Sequence, residues 1–231
     1  MRDTMTSRLD DMGGRIRQDL LYRLRWNLLA ALDNIDITTG PQDEESVVPF
    51  FSDAAAEESI AQPPLSRVEV RIDDCLANRL EEMYFDEEDQ SNPPADLTIE
   101  NADGSPITVG QFVSQVHPYM NEHMEENKKV KGEIYGRAEK REDGTEVRVN
   151  IYGQPYLPPD IGFFFSRVWA VGHNDYVRLN VSSFAEGEIG TSVDDFWAIQ
   201  LRQARMCEQK RYGEQATIES LPLSEPGNTS V

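Results

Sequence analysis

The chain has 231 residues and a formal net charge of −20, from 42 acidic and 22 basic side chains. This excess of negative charge repels nucleic acid phosphates and anionic lipids, so we expect neither nucleic acid nor a membrane as a partner. No apolar run reaches the roughly 18 residues needed to cross a bilayer, and no secretory signal is visible at the amino terminus. The sequence therefore predicts a cytoplasmic or nuclear protein.

The first predicted element is an amphipathic helix over residues 15–35, within an amino-terminal region of residues 1–40. Its apolar side chains recur every three or four residues, which is the period of a helix that buries one face. Leu20, Leu24 and Leu28 lie at the centre of that face. Such a face packs on its own domain, or binds another protein or a second copy of the chain. We therefore name these three leucines as partner-binding candidates.

A disordered acidic linker is predicted for residues 41–64, because the segment is rich in acidic and small side chains and follows no helical or strand period. The apolar cluster at residues 47–51 is the exception. A cluster of this kind either packs locally or acts as a short docking motif. Phe50 and Phe51 are therefore further partner-binding candidates.

Residues 65–85 fit two patterns. The apolar residues at 68–72 alternate as in a strand, whereas a longer series follows the spacing of a helix through the whole segment. The longer series favours a helix over residues 65–85. Residues 86–96, which are dominated by Asp and Glu and end near two prolines, are predicted to form a second acidic linker.

The predicted core domain covers residues 97–212, and a disordered tail follows at residues 213–231. The predicted elements of the core domain are, in chain order, a strand at 97–100, a helix at 109–127, four strand-like runs between 133 and 183, and a helix at 193–212. Because successive runs are joined by turns, they indicate an antiparallel β-meander of four to five strands. The expected fold is α+β, with this meander packed against helices.

Residue types that carry chemistry are present but are not spaced as in a known motif. The chain has no glycine-rich phosphate loop, no Cys-x-x-Cys and no His-Glu-x-x-His sequence. His117 and His123 are six residues apart on a predicted helix, which turns them about 120° away from a common face. Glu186 and Glu188 either form a general acid–base pair or only an acidic turn. We therefore predict no catalytic, cofactor or metal site.

The chain contains two cysteines, Cys75 and Cys207, which are too few for a disulfide framework. Neither lies in a catalytic signature, so we expect reduced thiols without a catalytic role. A single bridge between them is the alternative.

Aromatic side chains are concentrated on the predicted meander. Strands of this kind most often build a core, and a concave sheet lined by aromatic rings can also hold a ligand. The candidate pocket residues are Tyr135, Tyr152, Tyr156, Phe164, Trp169 and Glu186.

Two functional hypotheses follow from these patterns. The first is a non-enzymatic interaction or regulatory protein that acts through the amino-terminal helix and the acidic segments. The alternative is a small-molecule-binding α+β domain, either a binding protein or an enzyme, with an aromatic pocket in the meander. The sequence leaves the partner, the ligand and the oligomeric state open.

Overall fold

In a computed structural model of the chain, we describe residues 14–41, 44–75, 94–134, 137–149, 160–172 and 177–219. These residues form a mixed α+β fold. Its helices and strands are, in chain order, α1 (Gln18–Leu21), β1 (Leu24–Arg25), β2 (Asp36–Thr39), β3 (Ser46–Pro49), β4 (Arg67–Ile72), β5 (Leu97–Glu100), α2 (Val109–Glu122), α3 (Met124–Ile134), β6 (Arg137–Lys140), β7 (Glu146–Val149), β8 (Phe163–Gly172), β9 (Val177–Ala185) and α4 (Val193–Glu219). Among the described helices, none has the length and apolar character of a membrane span.

The main sheet has four strands in the order β5-β4-β9-β8. Strands β8 and β9 form a long antiparallel hairpin with an irregularity between Phe165 and Arg167, and β6 and β7 form a separate antiparallel pair. The predicted meander is therefore confirmed only in part. Strand β4 lies between β5 and β9, and it runs parallel to β9. A parallel pair requires a long crossover, which a meander does not contain.

The segment predicted as a helix over residues 65–85 contains strand β4 instead. Val68, Val70 and Ile72 are buried, and the residues between them are partly exposed. This alternation matches the period of two that a strand presents to its core. The helix prediction was wrong for residues 67–72, because β5 and β9 supply pairing partners on both sides of them, whereas residues 73–75 are helical. Residues 76–85 of that prediction, and 86–93 of the following linker, lie outside the described residues.

The amino-terminal region also differs from the prediction of one helix over residues 15–35. In the described part of this region, α-helix is confined to residues 14–15 and to α1, which has four residues. The chain then enters β1 and continues into a small antiparallel sheet of order β1-β2-β3. The apolar side chains recur with the spacing of a helix, but the structure buries them from several short elements. Leu24 and Leu28, for example, are both buried.

The acidic segment after Gly40 is folded wherever it is described, in contrast to the predicted disordered linker. It contributes β3 and two single-turn 3₁₀ helices at Phe50–Ser52 and Ala54–Ala56. The side chains of Phe50 and Ile60 are fully buried. These few apolar side chains anchor a segment whose overall composition is typical of disorder.

One continuous hydrophobic core joins the amino-terminal region, α2 and one face of the main sheet. Helix α2 begins as predicted, since the Thr108 side chain accepts a hydrogen bond from the Gln111 N–H group at 3.0 Å. Helix α4 also begins as predicted, with Ser192 Oγ accepting from the Asp195 N–H group at 3.1 Å. The core thus begins at Ile16, well before the predicted core domain of residues 97–212.

Candidate functional site

The main sheet has two faces of different character. Because side chains alternate along a strand, the inner face carries the core residues and the outer face carries their neighbours. Cross-strand register places Trp169 of β8 beside Asn180 of β9, and Asn180 beside Arg71 of β4. We call this side of the sheet, with Glu69, Arg71, Trp169, Arg178 and Asn180, the outer face.

Trp169 and Asn180 form an unusual pair on the outer face. The Trp169 side chain is 41% exposed, although it belongs to the largest class of apolar side chains. Its neighbour Asn180 is only 2% exposed, and its Oδ1 atom has no hydrogen-bond partner among the described residues. A buried acceptor without a partner costs about 1–3 kcal/mol. An exposed ring therefore lies directly beside an unsatisfied acceptor.

Four charged side chains of the outer face form ion pairs with one another. The Arg71 guanidinium donates to both carboxylate oxygens of Asp96, at 2.6 and 2.8 Å. Arg178 pairs with Glu69 and with Asp96, at 3.3 Å in each case. These two cations and two anions are all partly buried, and their formal charges sum to zero. Among these four groups neither sign is in excess, and the Asp73 carboxylate, which accepts from Ser182 on the same face, is a further anion.

An aromatic cluster closes one end of the outer face. Phe164 lies opposite Phe184 on the sheet, and Phe196 and Trp197 of α4 cover them. The Phe184 and Phe196 rings stack with centroids 4.2 Å apart, and Trp197 meets Phe164 edge-on at 5.4 Å. Such pairs contribute packing beyond their buried area. Phe164, a predicted pocket residue, is thus a packing residue at the end of the face.

The inner face carries a buried ionic cluster, which we call the Lys131 cluster. It comprises Asp74, Asn127, Lys131, Ser183 and Glu188. Lys131 Nζ lies 3.1 Å from Asp74 Oδ1 and 3.2 Å from Glu188 Oε2, and the Lys131 side chain is 3% exposed. Buried charges require such partners, because leaving one unpaired is strongly destabilising.

Hydrogen bonds connect the Lys131 cluster to strand β9. Asp74 Oδ2 accepts from both the N–H and the Oγ–H of Ser183, each at 3.0 Å. Asn127 Nδ2 donates to Ser183 Oγ at 3.0 Å, while Asn127 Oδ1 has no partner in the described structure. On the opposite face, Ser182 Oγ donates to Asp73 Oδ2 at 2.9 Å. The carboxyl ends of β4 and β9 are therefore joined from both faces of the sheet.

The loop after β9 holds Glu188 in the Lys131 cluster. Gly187 and Gly190 adopt positive φ angles, and Ile189 between them has φ 55° and ψ 29°. A β-branched residue in this left-handed region is a true outlier and is strained. The Ile189 side chain is nevertheless 78% exposed, so packing does not compensate the strain. The anchor of the loop is its neighbour Glu188, whose Oε2 accepts from the Ala185 N–H group at 3.0 Å.

Burial shifts the pKa values of His117 and of both cysteines. The Trp26 indole N–H donates to His117 Nδ1 at 2.9 Å, and burial lowers the pKa of His117. Burial raises the pKa of the Cys75 thiol to about 12 and also raises that of Cys207. Both cysteines are free. Neutral thiols are poor nucleophiles.

The partner-binding candidates differ in accessibility. Leu24, Leu28 and Phe50 are buried in the core, and Leu20 packs against it. Phe51 is 40% exposed. The first three side chains cannot reach a partner in this fold.

The pocket candidates are placed only in part. Trp169 is exposed on the outer face, and Phe164 lies in the aromatic cluster. Glu186 is exposed, and its carboxylate accepts from the Gly162 N–H group at 3.2 Å. Tyr135, Tyr152 and Tyr156 lie outside the described residues.

Sequence reasoning missed Asn180 and, apart from Glu188, the members of the Lys131 cluster. One signal was available for the outer face, since polar residues alternate with apolar ones along β9 from Arg178 to Ser182. No local signal connects Asp74 with Ser183, because 109 residues separate them. Comparisons with known protein families, with curated proteins and with solved structures find no match to this chain. The chemistry of its own residues therefore carries the functional inference.

Proposed function

We propose that this protein binds a small molecule on the outer face, against Trp169. The exposed Trp169 ring is the observation that supports this function, since 41% of this large apolar side chain is open to solvent. The ring lies among the polar and charged side chains of the outer face. An aromatic ring of this kind offers a flat contact surface to a ligand.

Binding without catalysis is the form of this proposal that the outer face favours. A general acid or base needs a group that is free to exchange a proton with a substrate. The carboxylates of Glu69 and Asp96 are instead held in ion pairs with Arg71 and Arg178. These groups fix the shape and the charge of the face, and the ligand contact comes from its exposed aromatic side chain.

Native mass spectrometry of gently purified protein tests the proposal. We expect a species heavier than the 26.2 kDa chain by the mass of one small molecule. Trp169→Ala should lose this species, because the variant removes the stacking surface. Phe51→Ala is the matched control, since Phe51 has nearly the same exposed fraction as Trp169 but lies outside the main sheet. A chain that carries no added mass, or equal retention by both variants, would contradict the proposal.

Protein binding through the amino-terminal region is a second candidate. It is supported by Val47 and Phe51, which are exposed on and beside strand β3 at the edge of the small sheet. An exposed edge strand with apolar side chains offers a place for another chain to dock. Sedimentation equilibrium tests this candidate for self-association. A dimer that Phe51→Ser converts to a monomer would support it, and a monomer at all concentrations would remove self-association.

A further inference from the structure

We infer that strand β3 binds an extended, positively charged segment of another protein, which adds to the small sheet at the edge that faces away from β2. The inference rests on the second candidate function, protein binding through the amino-terminal region, and specifies the chemistry of the partner. It follows from three properties of β3, namely its outward backbone groups, its exposed apolar side chains and the charge around it.

Hydrogen bonding along β3 directs alternate residues away from β2. The Phe50 N–H group donates to the Ile35 carbonyl at 2.9 Å, on the side of β2. In an antiparallel ladder, residues that exchange hydrogen bonds alternate with residues that do not. The backbone of Val48 therefore also faces β2, whereas the backbone groups of Val47 and Pro49 point to the opposite edge. No strand of the described residues pairs with β3 at that edge.

An added strand would meet both backbone and apolar groups at this edge. The backbone groups are the N–H and C=O of Val47 and the C=O of Pro49. Proline has no N–H group, so Pro49 limits the pairing to a short segment. The Val47 side chain is 46% exposed, and that of Phe51, directly after the strand, is 40% exposed. An edge of this kind holds an extended peptide by its main chain and selects it by its alternate side chains.

The charge around β3 is negative. Residues 44–58 contain five carboxylates and neither Lys nor Arg. Glu45 is paired with Arg205 of α4, and Glu58 is paired with Arg17. The three carboxylates that form no ion pair with a described cation are those of Glu44, Asp53 and Glu57.

The cations of the small sheet lie at its far edge. Arg23 pairs with Glu208 at 2.7 Å, and Arg25 of β1 lies opposite Asp36 in the register. Even if it is counted with β3, the exposed Arg202 of α4 offsets only one of the three carboxylates. The acidic surroundings of β3 therefore favour a partner with Lys or Arg beside its extended part. They disfavour a second copy of the chain, since each copy has a net charge of −20.

Three short peptides test the chemistry of the partner. The first alternates threonine and valine between pairs of lysines, the second has glutamates in place of the lysines, and the third is the first with its central amides N-methylated. Binding of each labelled peptide to the full chain is followed by fluorescence anisotropy. The lysine peptide should bind, and should bind more weakly as salt is added. The other two should bind at least about tenfold more weakly, because one is repelled and the other lacks backbone donors.

Two variants locate the bound peptide on the protein. Val47→Pro removes the outward N–H group of β3 and none of its bonds to β2, so the fold should be kept while the affinity for the lysine peptide falls at least about tenfold. Thr98→Pro is the matched control at the β5 edge of the main sheet. The Asn101 N–H group donates to the Ser66 carbonyl at 2.9 Å, so the same alternation directs the Thr98 backbone away from β4. This control should bind like the wild-type protein. Circular dichroism verifies that both variants fold.

The outcomes separate the partner class from the second candidate function. Equal binding of the lysine and glutamate peptides, with loss of both in Val47→Pro, would overturn the charge requirement and leave the edge as a binding site. Equal binding of the lysine peptide by wild type and Val47→Pro, or of its N-methylated form, would overturn strand addition at β3. If no peptide binds and sedimentation shows a dimer that Phe51→Ser dissociates, the partner is a second copy and the class is wrong. If no peptide binds and the chain is a monomer, both the class and the second candidate function are wrong.

Discussion

On the inner face of the main sheet, Lys131 and its two carboxylate partners are almost fully buried, whereas the arginine pairs of the outer face lie at the edge of solvent. Both faces contain a buried asparagine with an unpartnered Oδ1, namely Asn127 and Asn180. Asn127 is also anchored to Ser183 within a closed cluster. Asn180 lies beside the exposed Trp169 ring. The same local defect therefore has different consequences, because only the outer one has an accessible surface next to it.

The largest expected effect comes from removing the cation of the inner face. Lys131→Met leaves Asp74 and Glu188 without their buried partner. The free energy of unfolding should fall by about 3–5 kcal/mol, the usual cost of breaking a buried ion pair from one side. Urea denaturation followed by circular dichroism measures this change.

Lys128→Met is the matched control for that variant. Lys128 lies one turn earlier on α3 and pairs with Glu125, which is 91% exposed. Exposed pairs contribute little, so this change should cost about 0.5 kcal/mol or less. Similar losses for the two variants would show that burial does not distinguish the Lys131 cluster.

The two asparagines should respond differently to replacement by leucine. Asn127→Leu removes a donor from Ser183, so stability should fall by about 1 kcal/mol. Asn180→Leu removes only an unsatisfied acceptor, so stability should stay unchanged or rise by up to about 1 kcal/mol. Thermal unfolding of the ligand-free variants measures both. A clear loss of stability in Asn180→Leu would indicate a structural role and would weaken the comparison of the faces.

Acid should destabilise the core through His117, which hydrogen-bonds to Trp26. Burial lowers the pKa of His117 from its ordinary value of 6.5. At a pH between the pKa values of His117 in the folded and the unfolded chain, the unfolded chain binds the proton and the folded chain does not. The contribution of His117 to the free energy of unfolding is therefore present above pH 6.5 and is lost as the pH falls below it. Each pKa unit corresponds to about 1.4 kcal/mol.

The contribution of His117 is isolated by comparison with His117→Gln. Urea midpoints are measured between about pH 5 and 7, the interval that brackets an ordinary histidine pKa. The wild-type protein should lose more stability than the variant across this interval. Parallel pH profiles would mean that the carboxylates account for all of the acid effect.

The smallest effect concerns the loop that carries Glu188. Ile189→Gly should raise the free energy of unfolding by about 0.5–1 kcal/mol, because glycine adopts a positive φ without strain. The gain is partly offset by the greater freedom of glycine in the unfolded chain. Ile199→Gly, within helix α4, should have the opposite sign. A loss in both variants would mean that the Ile189 side chain makes a stabilising contact.

The sequence predicted the elements whose patterns are local. The caps of α2 and α4 and the β8–β9 hairpin follow from side chains close in the chain. Strand β4 was misread because its alternation at 68–72 lies within a longer apolar series, and only pairing with β9 selects the strand. The prediction of one amino-terminal helix was wrong for a similar reason, since helical spacing of leucines is equally compatible with burial in short elements.

The candidate site could be predicted only through Trp169. Its exposure and its neighbour depend on the register of β8 against β9, and the irregularity between Phe165 and Arg167 shifts that register. The Lys131 cluster brings together residues from α3, from the end of β4 and from the loop after β9. In the sequence alone, its charged residues cannot be distinguished from ordinary surface residues. Contacts over such separations are decided by tertiary packing.

The parallel pairing of β4 with β9 also bears on how the chain folds during synthesis. Val68 pairs with Val177 and Ile72 with Val181, so β4 leaves the ribosome long before its partner exists. In the meantime β5 can cover only one edge of β4. Contacts between distant parts of a chain form slowly, and an unpaired apolar edge invites aggregation. Closure of the main sheet should therefore be among the last steps of folding, and a nascent chain stalled before β9 should depend on chaperones to remain soluble.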